Sequence, residues 1–301
     1  MFGFIIRRLL WSIPVVLLAA LLTFGLVRAL PYDGDQFSSN PKYSKSQVEA
    51  LNQRFGVNDP FFVRYASFIK DLATGDLGVS TKPGELEISE IVRTKLPVSM
   101  ELGFFAFVFA SLLGTSLGMI SALRANGIVD YGITLFSTLA FAFPSFVTAT
   151  LWVKYSPYYG WDTWSEKLGP IFILGISIMP YFVRLVRASM LEVLQQEYIV
   201  TARAKGLGWR TTVIRHTLRN SLIPTVVNAG PLFGFVLTGS FIIERIMIVP
   251  GIAGEFINSF KQPLDYNLIL VTTVLLSVII IVMNLVVDVI VGWLDPRISH
   301  D

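Results

Sequence analysis

Residues 266–287 read YNLILVTTVLLSVIIIVMNLVV, without one charged side chain. A helix rising about 1.5 Å per residue crosses a hydrocarbon core in ~20 residues, so this stretch alone is long enough to span a bilayer. Working outward, five more uncharged runs occupy 9–27, 102–123, 131–153, 168–183 and 221–243. The fourth is short, and Arg184 and Arg187 beyond it are expected to snorkel to the interface so that it still crosses. The chain therefore reads as an all-α polytopic membrane protein. Residues 1–301 form a single transmembrane domain with six helices, at 9–30, 100–123, 131–153, 168–187, 221–243 and 266–290. The first run follows Arg7-Arg8, as a secretory signal would, but it continues to Ala29 with no small-residue cleavage site and is read as a retained helix.

Composition points the same way. Of 301 residues, 53% are hydrophobic and 15% charged, with a mean hydropathy of +0.63, whereas soluble domains carry ~25% charged residues. The net charge of +3, from 24 Lys+Arg against 21 Asp+Glu, gives little support to nucleic-acid binding. Absence of cysteine excludes disulfides, thiolate metal sites and cysteine nucleophiles. The placement of the cations decides orientation. Arg7 and Arg8 precede the first helix, Arg124 follows the second, Arg297 follows the sixth, and 184–219 carries seven Lys+Arg against Glu192 and Glu197. The positive-inside rule puts both termini and that basic segment in the cytoplasm.

By parity, residues 31–98 form an extracytoplasmic insertion. Ser44 with Gln47 predicts a capping box opening a helix that Gly56 closes. Asp59-Pro60 predicts a second start, before Phe61, Phe62, Tyr65, Phe68 and Ile69. Ile88, Ile91, Val92 and Leu96 make an amphipathic piece leading to Pro97. A small helical cap on the outer face is expected, whose aromatics fit an interfacial belt and a substrate-handling surface equally.

Several chemistries are missing. No G-x-x-x-x-G-K-[ST] phosphate cradle occurs, so the chain is not expected to hydrolyse ATP or to bind a cofactor. The only histidines are His216 and His300, which gives no zinc-protease pattern. Glu101, Arg184, Glu244 and Asp288 fall toward span ends, which weakens an ion-driven carrier without removing it as an alternative. Backbone irregularity is present instead, with Pro144, Pro180, Pro224, Gly230, Pro231 and Gly234 inside spans three to five. Such positions either kink a helix or line a pathway. Phe143, Ser145, Asn228 and Thr238 are the pathway candidates. Gly114 with Gly118, and Gly230 with Gly234, permit close helix approach.

Between spans four and five the sequence runs MLEVLQQEYIVTARAKGLGWRTTVIRHTLRNSLIPT. Apolar positions Leu191, Leu194, Tyr198, Ile199 and Ala202 form a partial helical face that breaks at Gly206-Leu207-Gly208, and a second short helix is expected over Thr211 to Arg219. The unit reads either as a docking hairpin or as a basic interfacial element that only fixes topology.

Residues T-A-R-A-K-G-L (201–207) followed by H-x-L-R-N (216–220) resemble the EAA loop of ABC importer permeases, in the form found in the dipeptide and oligopeptide branch. Val200 replaces the glutamate of the general motif, and His216 and Arg219 replace its isoleucine and proline. Ile5 to Leu10, Gly75-Asp76-Leu77-Gly78-Val79-Ser80, Leu96-Pro97, Glu244 with Pro250-Gly251-Ile252-Ala253-Gly254, and Asp295-Pro296-Arg297 are similar to the same branch. Met247 or a neighbour replaces the phenylalanine usual after the glutamate.

The resemblance implies a type I ABC importer permease-like fold and a non-catalytic subunit of a prokaryotic inner-membrane transporter. It implies a second, similar permease, two ATPase subunits that bind ATP and magnesium, an external binding protein, and a peptide substrate. The coupling helix would cover 198–212, with Tyr198, Thr201, Ala202, Ala204, Lys205, Gly206, Leu207 and Arg210 at the ATPase. Arg203, Lys205, Arg210 and Arg215 would pair with the ATPase or with anionic lipid. An ion-coupled carrier and a non-transporting membrane scaffold remain the alternatives.

Overall fold

The computed structural model describes residues 2–29, 44–54, 59–80, 82, 87–261 and 264–294. The expected stop at Gly56, the side chains of Gln47 and Asp288, and Arg297 and His300 lie outside the described residues. The order is α1 (Phe2–Ala29), α2 (Lys45–Arg54), α3 (Phe61–Thr74), α4 (Ile88–Leu123), α5 (Ile128–Ala142), α6 (Ser145–Tyr155) and α7 (Trp164–Leu194). Then come α8 (Glu197–Ala204), α9 (Trp209–Thr211), a π-helical segment (Thr212–Leu218), α10 (Arg219–Leu237), α11 (Phe241–Ile246), α12 (Ile252–Ser259) and α13 (Tyr266–Leu294). Among the described residues the sole β feature is an isolated bridge between Val79 and Glu87.

Five helical runs are long and apolar enough to cross a membrane, within α1, α4, α7, Trp209–Ile246 and α13. Helices α5 and α6 pass the same test only together, and they are bent by 88°. Counted as one span, the pair completes the six expected from the sequence.

Three details depart from the sequence expectation. The third span is broken at Phe143-Pro144, with Phe143 extended at φ −75°, ψ 118°, as a residue before proline prefers. Helix α7 carries Pro170 and Pro180 without interruption. The difference lies in packing, because α7 is buried along most of its length whereas α5 buries only Asp130 and Ser137. Secondly, no separate helix covers Thr211 to Arg219. The chain coils continuously from Trp209 to Leu237 through the π segment, which joins the hairpin directly to the fifth span. Thirdly, that helix ends at Leu237, and Gly239 at φ +86° separates it from α11.

The core is organised by α4 against α7. One face of α4 presents Gly103, Ala106, Ala110, Gly114, Gly118 and Ala122, all buried. This small-residue stripe lets backbones approach, which is how helices associate where lipid removes the hydrophobic drive. A Cβ on Gly114 would lie 2.6 Å from Phe182 Cβ, and one on Gly118 would lie 2.8 Å from the Val183 carbonyl oxygen. On the other side, α10 packs on α13, with Gly230 facing Val287 and Gly234 facing Ile280 and Met283.

The insertion is docked against the spans. Phe24 of α1 stacks edge-on with Phe61 and Tyr65 at 5.2 and 5.8 Å, and it clusters with Val27, Tyr266, Ile269 and Leu270. The Tyr65 hydroxyl donates to the Leu17 carbonyl at 2.7 Å. Phe61, Tyr65 and Phe68 therefore hold the cap to α1 and α13, while Phe62 stays exposed. Pro60 itself occupies the N-cap position of α3, so Asp59 falls one residue too early to cap it. Residues 75–80 dock on the start of α13, where Ser80 bonds to Asp265 and Asn267 Nδ2 donates to the Val79 carbonyl at 3.1 Å.

Gly118→Leu should cost about 2 kcal/mol or more through overpacking of α4 on α7, read as a lower unfolding temperature of the purified chain in detergent. Gly132→Ala, where nothing lies within 4 Å of the added Cβ, should not lower it. Equal losses in both would contradict the packing account.

Candidate functional site

The hairpin between α7 and α10 is the most exposed structured feature at the basic end of the bundle. Helix α8 turns one side chain inward: Ile199 is 1% exposed. Thr201, Ala204, Lys205, Gly206 and Arg210 are exposed, Ala202 and Leu207 half-buried. At Gly206, φ is +81°. The Leu207 amide donates to the Ala202 carbonyl at 3.2 Å and the Gly206 amide to the Arg203 carbonyl at 2.9 Å. This pair of bonds is a Schellman cap, which satisfies the last carbonyls of α8 and requires a left-handed residue where glycine carries no Cβ penalty. A Cβ at Gly206 would meet nothing within 4 Å, so the glycine answers to backbone conformation inside this chain and leaves open space outside it.

One bond ties the hairpin to α10 and two contacts brace it internally. Asn220 Nδ2 donates to the Tyr198 hydroxyl at 2.9 Å, the Arg203 guanidinium lies 4.3 Å from the centre of the Trp209 ring, and the Thr212 hydroxyl donates to the Gly208 carbonyl at 3.2 Å. Arg203, expected to pair with a partner or with lipid, is thus engaged within the hairpin. Below it, Val213 of the π segment packs with Ala122, Val186 and Met190, which joins the hairpin root to α4 and α7. Thr212 and Thr217 are fully buried on the same side, and the Thr217 hydroxyl donates to the Thr212 carbonyl five residues back, at 3.3 Å. Ile199 was read from sequence on the apolar face of this helix, whereas Trp209 and Asn220 were not singled out, since a partner 22 residues away leaves no periodic signal.

A second polar cluster lies near this end. Asp130, 2% exposed, accepts two bonds from Arg187, from Nε at 2.8 Å and from Nη2 at 2.7 Å. It also accepts from Ser121 and, at 2.9 Å, from the Asn126 amide. Arg187 is therefore paired within the chain, its side chain 31% exposed beside the turn between α4 and α5. Arg184, one turn away, lies 4.6 Å from the centre of the Phe141 ring.

At the opposite end of the bundle, Glu244 is buried and braces the loop between α11 and α12. Its Oε1 accepts from the Ser99 hydroxyl at 2.7 Å and its Oε2 from the Gly254 amide at 2.8 Å, while Ser99 Oγ accepts from the Ile252 amide at 2.9 Å. One side chain thereby fastens the start of α12 to α4. Met247, in the place of the expected phenylalanine, is fully buried in the cluster around Leu102 and Ile243.

The four pathway candidates separate. Phe143 lines an apolar cavity of about 230 Å³ with Phe136, Leu139, Thr148 and Ile176 at the crease between α5 and α6. Ser145, half-buried, starts α6. Asn228 is exposed on α10, and its carbonyl accepts from the Tyr181 hydroxyl at 3.0 Å. Thr238 is buried and its hydroxyl turns back to the Phe235 carbonyl at 2.6 Å, so it presents no group to a solute. Among the described residues no cluster of His, Asp or Glu could hold a metal ion.

Gly206→Ala should strain α8 by about 1 kcal/mol, seen as roughly fivefold faster hydrogen exchange of the α8 amides in the isolated chain. The amides of α10 should be unaffected. Equal acceleration in α10 would contradict a cap that serves α8 alone.

Residues 114–300 match the family described as binding-protein-dependent transport system inner membrane component, and residues 1–86 match the N-terminal region described for such components. The chain is 36% identical to the dipeptide transport system permease protein DppB of Lactococcus lactis subsp. cremoris, over 99% of each chain. It is 35% identical to the oligopeptide transport system permease protein OppB of Salmonella typhimurium, over the full length of both. Among solved structures, an inward-facing MetNI methionine ABC transporter shares the fold with a TM-score of 0.60 at 15% identity, covering 69% of this chain and 98% of that one. An amino acid ABC transporter gives 0.53 at 14% identity, over 70% and 95%. By its sequence along nearly all of its length, the chain belongs to the family of binding-protein-dependent transport system inner membrane components.

Proposed function

We propose that the chain is the permease subunit of an ATP-driven importer of peptides, with the hairpin as the point where mechanical work enters. The observation that carries this reading is the exposed α8, capped at Gly206 and tied to the body through Ile199 and the Asn220–Tyr198 bond. It is a rigid projection with open space over its glycine turn, suited to a groove on another protein. Membership of the family and the names of the dipeptide and oligopeptide relatives support both the importer and the peptide substrate.

In this reading the basic hairpin and both termini lie in the cytoplasm, on the strength of the lysine and arginine distribution. Two ATPase subunits bind ATP and magnesium there, a second permease completes the pathway, and an external binding protein delivers peptide to the opposite face. Closure of the ATPases displaces α8. Helix α7 leads into the hairpin and the Trp209–Leu237 run leads out of it, so both spans move with it as levers, a rigid-body change of one bundle against another. Tyr198, Thr201, Ala202, Ala204, Lys205, Gly206, Leu207 and Arg210 form the contact. The crease at Phe143, together with Ser145 and Asn228, lies on the pathway.

The complete transporter in proteoliposomes should take up labelled alanine peptides of two to five residues only with ATP inside the engaged compartment. Gly206→Asp should insert normally yet lose ATPase association and uptake at least tenfold, because a charged side chain then occupies the docking face. Uptake by this chain alone under an ion gradient would instead identify a carrier. Unchanged ATP-driven uptake by Gly206→Asp would remove the hairpin from the mechanism.

A further inference from the structure

Helix α5 is held to the bundle in an unusual way. Only Asp130 and Ser137 are buried along it, while Leu135, Phe136, Leu139 and Phe141 are each 48% or more exposed. Its attachment to α7 combines a partly buried apolar patch, Ile133 and Ala140 against Met179, Phe182 and Val183, with ties at its two ends. Asp130 in the first turn grips Arg187 through both carboxylate oxygens, and Phe141 in the last turn lies under Arg184. Both arginines stand on one turn of α7, just before that helix runs to the hairpin at Leu194.

The ion pair is completely built. Ser121 from the end of α4 and the amide of Asn126 satisfy the remaining acceptor capacity of Asp130, and Asn126 adopts a left-handed φ of +61° to present that amide. A non-glycine residue held there signals a turn determined by its surroundings. A planar guanidinium gripping both oxygens fixes direction as well as distance. Beyond the far end of α5 lies the 88° break at Phe143-Pro144. Arg187 thus sits between the hairpin and the crease.

We propose that Asp130 and Arg187 are positioning residues of transport, forming the strut through which movement of α7 turns α5 and so reshapes the crease at Phe143. This rests on the reading of the hairpin as the point of force entry. Helix α4 also follows α7, but through a continuous seam of small residues. Helix α5 meets the bundle through a smaller apolar patch at Ile133 and Ala140, so without the directional ion pair α7 can slide against α5 without turning it. Force then enters the permease and does not reach the crease.

The test uses the complete transporter in proteoliposomes carrying Asp130→Asn together with Arg187→Gln, which removes both charges and leaves no unpaired ion in the bilayer. Abundance and co-purifying ATPase are measured first and should match the unmodified complex. Uptake of whichever alanine peptide the unmodified complex accepts should then fall about tenfold per ATP hydrolysed, with ATP hydrolysis itself kept. Asp130→Glu, which preserves charge and the paired acceptor oxygens, should recover most of the ratio. A merely structural tie would lower abundance without changing peptide moved per ATP. An unchanged ratio in the neutral pair, or loss of ATPase association in place of coupling, would overturn the strut. Uptake by the unmodified complex that ignores ATP would instead sink the underlying reading.

Discussion

Contact between α4 and α7 sets the terms for the rest of the molecule. A bilayer offers apolar side chains no reason to prefer one another over lipid, so two helices stay together only where their surfaces interlock closely. The Gly and Ala stripe from Ala106 to Ala122 supplies that closeness, while Gly103 meets α10 at Val236 and Leu237. With α4 seated along it, α7 stays helical through Pro170 and Pro180, and an unbroken α7 is a lever that ends in the hairpin. Where such packing is missing, as between α5 and α6, a single proline divides the span.

Polar groups in the bundle follow a matching rule. A polar atom placed in hydrocarbon costs several kcal/mol unless it is paired, and two buried acids, Glu244 and Asp130, are both richly bonded. Glu244 ties α12 to α4 at one end, and Asp130 ties α5 to α7 at the other. Each adds a directional polar tie beside a local apolar patch, Ile252 with Ile88 and Ile91 in one case and Ile133 and Ala140 with Met179 and Phe182 in the other. Apolar packing supplies the rigid bodies, and these acids decide which bodies are joined.

The sequence revealed the spans because each is a long run without charge, and it revealed the hairpin because Gly206 interrupts a helical pattern. It did not distinguish Pro144 from Pro180, since whether a proline breaks a helix depends on neighbours far along the chain. Arg187 was read as a snorkelling cation for a similar reason. Its partner Asp130 is 57 residues away, and charge counting at span ends cannot see that separation. The π segment was hidden as well, because Thr211 to Arg219 looks amphipathic in either register. Thr238 looked like a pathway group by residue type alone, yet its position at the end of α10 turns it into its own helix.

The central claim is that α8 is where an engine on the cytoplasmic face grips this protein, and surface labelling tests it most directly. The chain contains no cysteine, so Ala204→Cys places a single thiol on the exposed side of α8. A membrane-impermeant maleimide should label that thiol in inverted vesicles stripped of ATPase subunits, fail to label it in intact cells, and be blocked when the ATPases are restored. Labelling from outside intact cells, or labelling indifferent to the ATPases, would contradict the account.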